Sequence, residues 1–167
     1  MKKYILLLLF SSILFCGCNY DFMLSEECNI PINPDILGMW ELIIPSEENN
    51  GDKFNLSIFK FNEYEYLIVL RNENEDDLLF RAYEVDVDGI KVVQVQMRLD
   101  GMYFSEAASN KIYTIAFYKL NNDILELFII ESKQIKINNC EELKKHILKN
   151  KNNLQFFPEF GKYRKTT

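Results

Sequence analysis

Leu79-Phe80-Arg81-Ala82-Tyr83-Glu84-Val85-Asp86-Val87-Asp88-Gly89-Ile90-Lys91-Val92-Val93-Gln94-Val95-Gln96-Met97-Arg98-Leu99 decides the fold. Arg81, Tyr83 and Val85 alternate with Phe80 and Ala82 before Asp88-Gly89, and Val93, Val95, Met97 and Leu99 alternate with Gln94, Gln96 and Arg98 after it. Period-two alternation is the signature of a strand with one buried face. Asp-Gly between two such runs marks a two-residue hairpin turn, because glycine adopts positive φ without steric cost. The stretch is therefore a β-hairpin.

Working outward, the same pattern recurs on both sides. Upstream lie strand signals over 39–44, ended by Pro45, over 53–61, and over 63–70, where Tyr64, Tyr66, Ile68 and Leu70 share a face. Downstream, Asp100-Gly101 turns the chain again, and strands over 112–120 and 124–131 are joined by Asn121-Asn122-Asp123. The period then changes. Asn139 precedes Glu141 and Glu142, and Leu143 with Ile147 makes an i, i+4 stripe, so 140–149 reads as one short helix with an N-cap. Phe160-Gly161-Lys162-Tyr163-Arg164-Lys165 returns as a last strand. The expectation is a mainly β fold: an antiparallel up-and-down barrel of about eight strands with one short C-terminal helix. Closure removes exposed sheet edges, which favours a barrel over an open half-barrel or a sandwich.

Composition agrees with one folded domain. The chain has 167 residues, and its 14% aromatic content, with 13 Phe and 9 Tyr, leans toward strands. Six Gly and four Pro are too few for a disordered chain. Removing Lys2 and Lys3 with a leader takes the basic count from 19 to 17 against 25 acids, a charge of −8. Such a surface repels phosphate, so nucleic acid is not an expected partner.

The leader has the order of a secretory signal. Met1-Lys2-Lys3 is followed by an apolar run from Tyr4 to Phe15, well short of the roughly 20 residues that a membrane span needs. Its end, Leu14-Phe15-Cys16-Gly17-Cys18, resembles the lipobox of bacterial lipoproteins, with Gly17 as the small residue before the cleavage point and Cys18 as the acceptor thiol. The resemblance implies that residues 1–17 are removed and that Cys18 carries diacylglycerol and a palmitate-like acyl chain. Several acyl tails hold a protein stably on a membrane where one does not. The expected address is the cell envelope outside the cytoplasm, anchored in the inner or the outer membrane.

Residues 18–36, interrupted by Pro31 and Pro34, read as a tether between the anchor and a domain spanning 37–167. Cys28 lies in that tether and Cys140 at the helix start. Outside the cytoplasm they either pair, closing a loop of over a hundred residues for about 4–5 kcal/mol, or remain two thiols.

At the start of the domain, Leu37-Gly38-Met39-Trp40 holds the only tryptophan. Gly-x-Trp on a first strand is similar to the signature of the lipocalins and wider calycins. That resemblance implies an eight-stranded barrel closed at its base by Trp40, with Gly38 letting the incoming chain pass close by. It also implies a basic residue of the last strand, here Arg164, over the indole ring.

Candidate chemistry is sparse. The single histidine, His146, lies on the predicted helix and has no nucleophile at a useful spacing, Cys140 being six residues away. Glu84, Asp86 and Asp88 superficially suggest a calcium loop, but the alternation with Val85 and Val87 makes them solvated acids on a strand face. No cofactor, metal or catalytic site is expected. The aromatic side chains Tyr64, Tyr66, Phe80, Phe117 and Phe128 are the candidates to line an apolar cavity. The functional expectation is a non-enzymatic, membrane-anchored protein that binds a small hydrophobic molecule or lipid. The alternative is an envelope protein–protein interaction module, an inhibitor or assembly partner with a packed interior.

Overall fold

The computed structural model describes residues 20–45, 54–72, 76–98, 111–130, 137–151, 157 and 159–166. Cys18, the leader and the Asp100-Gly101 turn lie outside the described residues. Eight strands form one closed antiparallel barrel in simple sequence order: β1 (Gly38–Pro45), β2 (Phe54–Lys60), β3 (Glu65–Asn72), β4 (Leu78–Val87), β5 (Ile90–Arg98), β6 (Lys111–Asn121), β7 (Ile124–Ile129) and β8 (Glu159–Lys165). Each strand pairs with the next, and β8 returns to β1. The expected barrel and helix are both present.

Local chemistry sets the turns. Asp88 and Gly89 take φ of 50° and 84°, the two positive values that a two-residue turn of this hand demands. The Asp86 carboxylate accepts from the Gly89 N–H at 2.7 Å and fixes the corner. Asn122, with φ of 55°, turns β6 into β7. Helix α1 (Cys140–Asn150) starts at Asn139, whose side chain accepts from the Glu142 N–H at 2.9 Å; such a cap is worth about 1 kcal/mol.

Two apolar layers form, one on each side of the sheet. Inside the barrel pack Trp40, Leu56, Ile58, Tyr66, Phe80, Ala82, Val93, Leu125 and Tyr163. On the outer face of β4–β7, Tyr83, Val85, Val92, Ile115, Phe117 and Phe128 would face water if the strands were alone. They are covered instead by Leu143 and Ile147 of α1, by Phe157, and by Tyr20 and Leu24 of the N-terminal segment.

That segment is a strap rather than a free tether. Tyr20 makes a two-bond β-bridge with Tyr113, and its hydroxyl donates to the Ile130 carbonyl. Leu24 and Ser25 then hydrogen-bond to Gln94, the Tyr83 hydroxyl donates to the Ser25 carbonyl at 2.5 Å, and Ile32 N–H donates to the Glu63 carbonyl. The segment ends in a 3-10 turn, Pro34–Ile36, which Asn33 caps. The apolar side chains of Tyr20 and Leu24 drive this docking, since leaving both exposed would forfeit several kcal/mol of burial.

The strap distinguishes the two ends. The near end carries the short β2–β3, β4–β5 and β6–β7 turns together with the 3-10 turn; the far end holds the C-terminal ends of β1, β3, β5 and β7 and the Tyr20 bridge. Toward the far end β1 and β2 part company. Their register covers only Gly38 to Trp40, and beyond it the Leu42 N–H is met by the Asn55 side chain at 3.3 Å.

Candidate functional site: an apolar cavity above a closed base

Closure of the near end begins with Trp40, 1% exposed, whose Nε1–H donates to the Ile36 carbonyl at 2.9 Å. Gly38 has φ of +132°, a conformation that side chains rarely adopt, and a Cβ there would meet Lys165 Cε at 3.0 Å. The chain can enter beside the last strand only because that position is glycine. The cation over the indole is Lys165, with Nζ 5.2 Å from the ring centroid and donating to the Asp35 carbonyl at 2.9 Å. Arg164, expected in that role, pairs in register with Glu41 and is exposed. Alternation gives the reason: Tyr163 faces the interior opposite Leu42, so the next interior position is Lys165, opposite Trp40.

Above this base sits a buried polar group that the sequence reading assigned to solvent. Glu84 is 1% exposed and shares the interior register of Phe80 and Ala82. Its Oε1 accepts from the Tyr66 and Tyr118 hydroxyls, both at 2.9 Å. Asn33 adds donors to those oxygens, its N–H to Tyr66 at 2.6 Å and its Nδ2–H to Tyr118 at 3.2 Å. Among the described residues Glu84 Oε2 has no hydrogen-bond partner; the Lys91 ammonium stands 3.7 Å from it. Burial pushes the Tyr66 hydroxyl pKa well above its ordinary value and the Tyr118 hydroxyl up to about 12. Both phenols thus keep their protons for Glu84 at any physiological pH. Of the acids expected in solvent, Asp86 and Asp88 are exposed as read.

Between this base and the far end lies a cavity of about 120 Å³. It runs from Ile36 and Leu125 toward Leu70, Ile129 and Phe160, and its walls are almost wholly aliphatic and aromatic. An engineered cavity of about 150 Å³ with such a lining stays dry and takes up benzene, so this one is the right size for a small apolar group.

The five aromatic candidates separate. Tyr66 and Phe80 line the cavity, and Phe117 borders it while its ring packs outward on Phe157 at 4.9 Å. Phe128 faces Phe117 across β6–β7 on the outer face, under the Lys119 ammonium at 5.1 Å. Tyr64 lies in the β2–β3 turn, exposed, and is not part of the lining. Position in the alternation explains the split: the interior set is Tyr66, Phe80, Thr114, Ala116 and Tyr118, whereas 117 and 128 fall on the other face.

Cys28 and Cys140 are free thiols. Each donates to a different carbonyl, Cys28 to Tyr64 at 3.5 Å and Cys140 to Leu24 at 3.1 Å, so the expected alternative of a bridge gives way to two separate strap contacts. His146 is half-buried, its ring 6.2 Å from Phe157, and burial lowers its pKa. Among the described residues no three His, Cys, Asp or Glu side chains come together in a way that would hold a metal ion.

The residues missed by the sequence reading are Glu84, Lys165, Tyr118 and Gln94. For the first three the signal was present in the alternation itself; for Gln94 it was not, because its burial depends on the strap. No protein-family model, curated protein or solved structure matches the chain.

Proposed function

We propose that this protein is a lipid-anchored, lipocalin-like barrel that works outside the cytoplasm without catalysis and binds a small apolar group in its interior. The carrying observation is the cavity of about 120 Å³, lined by Leu56, Ile58, Phe80, Val93, Val95 and Leu127 within a closed barrel. The leader and Cys18 support the anchor, and Gly38 and Trp40 support the likeness to calycins. The arrangement suits an aromatic ring or the end of an acyl chain, because it offers shape and an almost wholly apolar wall.

The test is ligand-linked stability. Saturating benzene or xenon raises the melting temperature of the wild-type protein, as any ligand selective for the native state must. Ala116→Phe, which fills the cavity from β6, abolishes the rise. A wild-type melting temperature unmoved by either probe overturns the reading.

A second reading rests on a different surface. Met39, Phe59, Phe61 and Leu79 are exposed on β1–β4 and its adjoining turn, the side that strap and helix leave bare. An interaction module would use that face. Photocrosslinking from position 61 in intact cells decides it: one discrete protein adduct supports a partner, and no adduct overturns it.

A further inference from the structure

The strap does more than cover the sheet, because it fixes where the N-terminus leaves the barrel. Tyr20 is held by both backbone bonds to Tyr113, at 2.7 and 2.8 Å, and by its hydroxyl to Ile130. Tyr113 is the third residue of β6 and Ile130 directly follows β7, so both mark the far end. From there the strap runs the length of the barrel to the near end, where Asn33 and Ile36 join the base. Cys18 precedes Tyr20 by two residues, and two residues of extended chain span at most about 7 Å. An acyl anchor on residue 18 would therefore be tethered within that span of the Tyr20–Tyr113 bridge.

We propose that the far end of the barrel is held against the membrane that carries the Cys18 acyl chains, with Trp40 and the closed base pointing away from it. The proposal rests on the lipidation reading above. Leu78 and Leu79, which open β4 at the far rim, are 39% and 50% exposed and would meet a lipid surface there, while Met39, Phe59 and Phe61, exposed toward the near end, would stay in water. The short span from Cys18 to Tyr20 leaves no length for the barrel to turn over. The cavity is then reached from the lipid side, and its occupant is an apolar solute or acyl chain of that leaflet rather than a molecule captured from water.

Full-length lipidated protein in phosphatidylethanolamine–phosphatidylglycerol vesicles, with and without lipids brominated on their acyl chains, provides the test. Trp40 is the only native indole and sits at the near end. Its emission is expected to be unchanged by bromolipid. Leu79→Trp adds an indole at the far rim whose emission bromolipid quenches, and Met39→Trp adds one at the near end that stays unquenched; both positions are exposed. Eight Gly and Ser residues inserted after Cys18, reaching about 16 Å as a flexible coil, reduce quenching at position 79 while the protein still floats with the vesicles. Protein that floats but shows quenched Trp40, or an unquenched indole at 79, overturns the orientation and leaves the anchor standing. Protein that does not float, and whose N-terminal peptide carries no acyl mass, overturns the lipidation reading and the orientation with it.

Discussion

The two ends of this barrel are built from the same strands and treated in opposite ways. At the near end every device closes the structure: short turns, an indole bonded to the strap, a lysine over its ring, and a carboxylate shared by two tyrosines. At the far end the β1–β2 ladder has opened, the cavity approaches the rim, and Leu78 and Leu79 are exposed. The buried polar groups thus gather at the near end, while the apolar volume lies between them and the far rim. The strap joins the two ends, being clamped by Tyr20 at one and by Asn33 and Ile36 at the other.

The largest blow to this contrast should come at the base. Trp40→Ala removes the largest fully buried side chain and is expected to destabilise the protein by about 3–5 kcal/mol in denaturant unfolding. A loss under about 1 kcal/mol would mean that the near end is not the rigid one. Next comes the middle of the strap. Gln94 is fully buried, its Oε1 accepting from Leu24 N–H at 2.6 Å and its amide donating to Tyr83 and Ser25. Gln94→Ala leaves those groups without partners and should cost about 1–3 kcal/mol, with faster hydrogen exchange at Leu24. Unchanged exchange there would show that the strap holds without its clamp.

Smaller effects sharpen the assignment of the closing cation. Lys165→Met should lose about 0.5–1 kcal/mol, whereas Arg164→Met should stay within about 0.5 kcal/mol of wild type in thermal unfolding. The reverse ranking would restore Arg164 to the role first expected of it. The least effect at neutral pH is the alkaline one. Burial, with the Glu65 carboxylate adding to it, raises the Cys28 thiol from 9.0 to about 11, and burial raises the Tyr66, Tyr83 and Tyr118 hydroxyls from 10.0. Groups whose protonated form is favoured by the fold contribute stability that is complete below the unfolded values and lost as pH climbs through the folded ones. Stability should therefore be flat to about pH 9 and fall above it, and Cys28 alkylation should have its midpoint near pH 11. A midpoint near 9 would show that the strap does not bury that thiol.

These contrasts also show which layer of information carried what. Glu84 and Lys165 were legible: Phe80, Ala82 and Glu84 repeat every second residue, as do Tyr163 and Lys165, and the pleat runs unbroken over those stretches. The expectation went astray by letting chemical type, an acid or an arginine, outweigh position. Tyr64 failed for a related reason, since the alternation was extended one turn residue too far, past the start of β3 at Glu65. Gln94 was not legible. It alternates as an outward polar residue should, and only the arrival of Leu24 and Ser25, some seventy residues earlier in the chain, takes it out of water.

The sequence by itself determined the number and order of the strands, their hairpin turns, the helix with its Asn139 cap, and which residues share a face, because each of these follows from neighbours within a few positions along the chain. Tertiary structure alone decided the cover of the outer sheet, the buried clamp at Gln94, the two unpaired thiols and the end at which Tyr20 docks. These depend on which distant segment docks where, and the apolar surface that drives such docking has no direction that a local pattern can record.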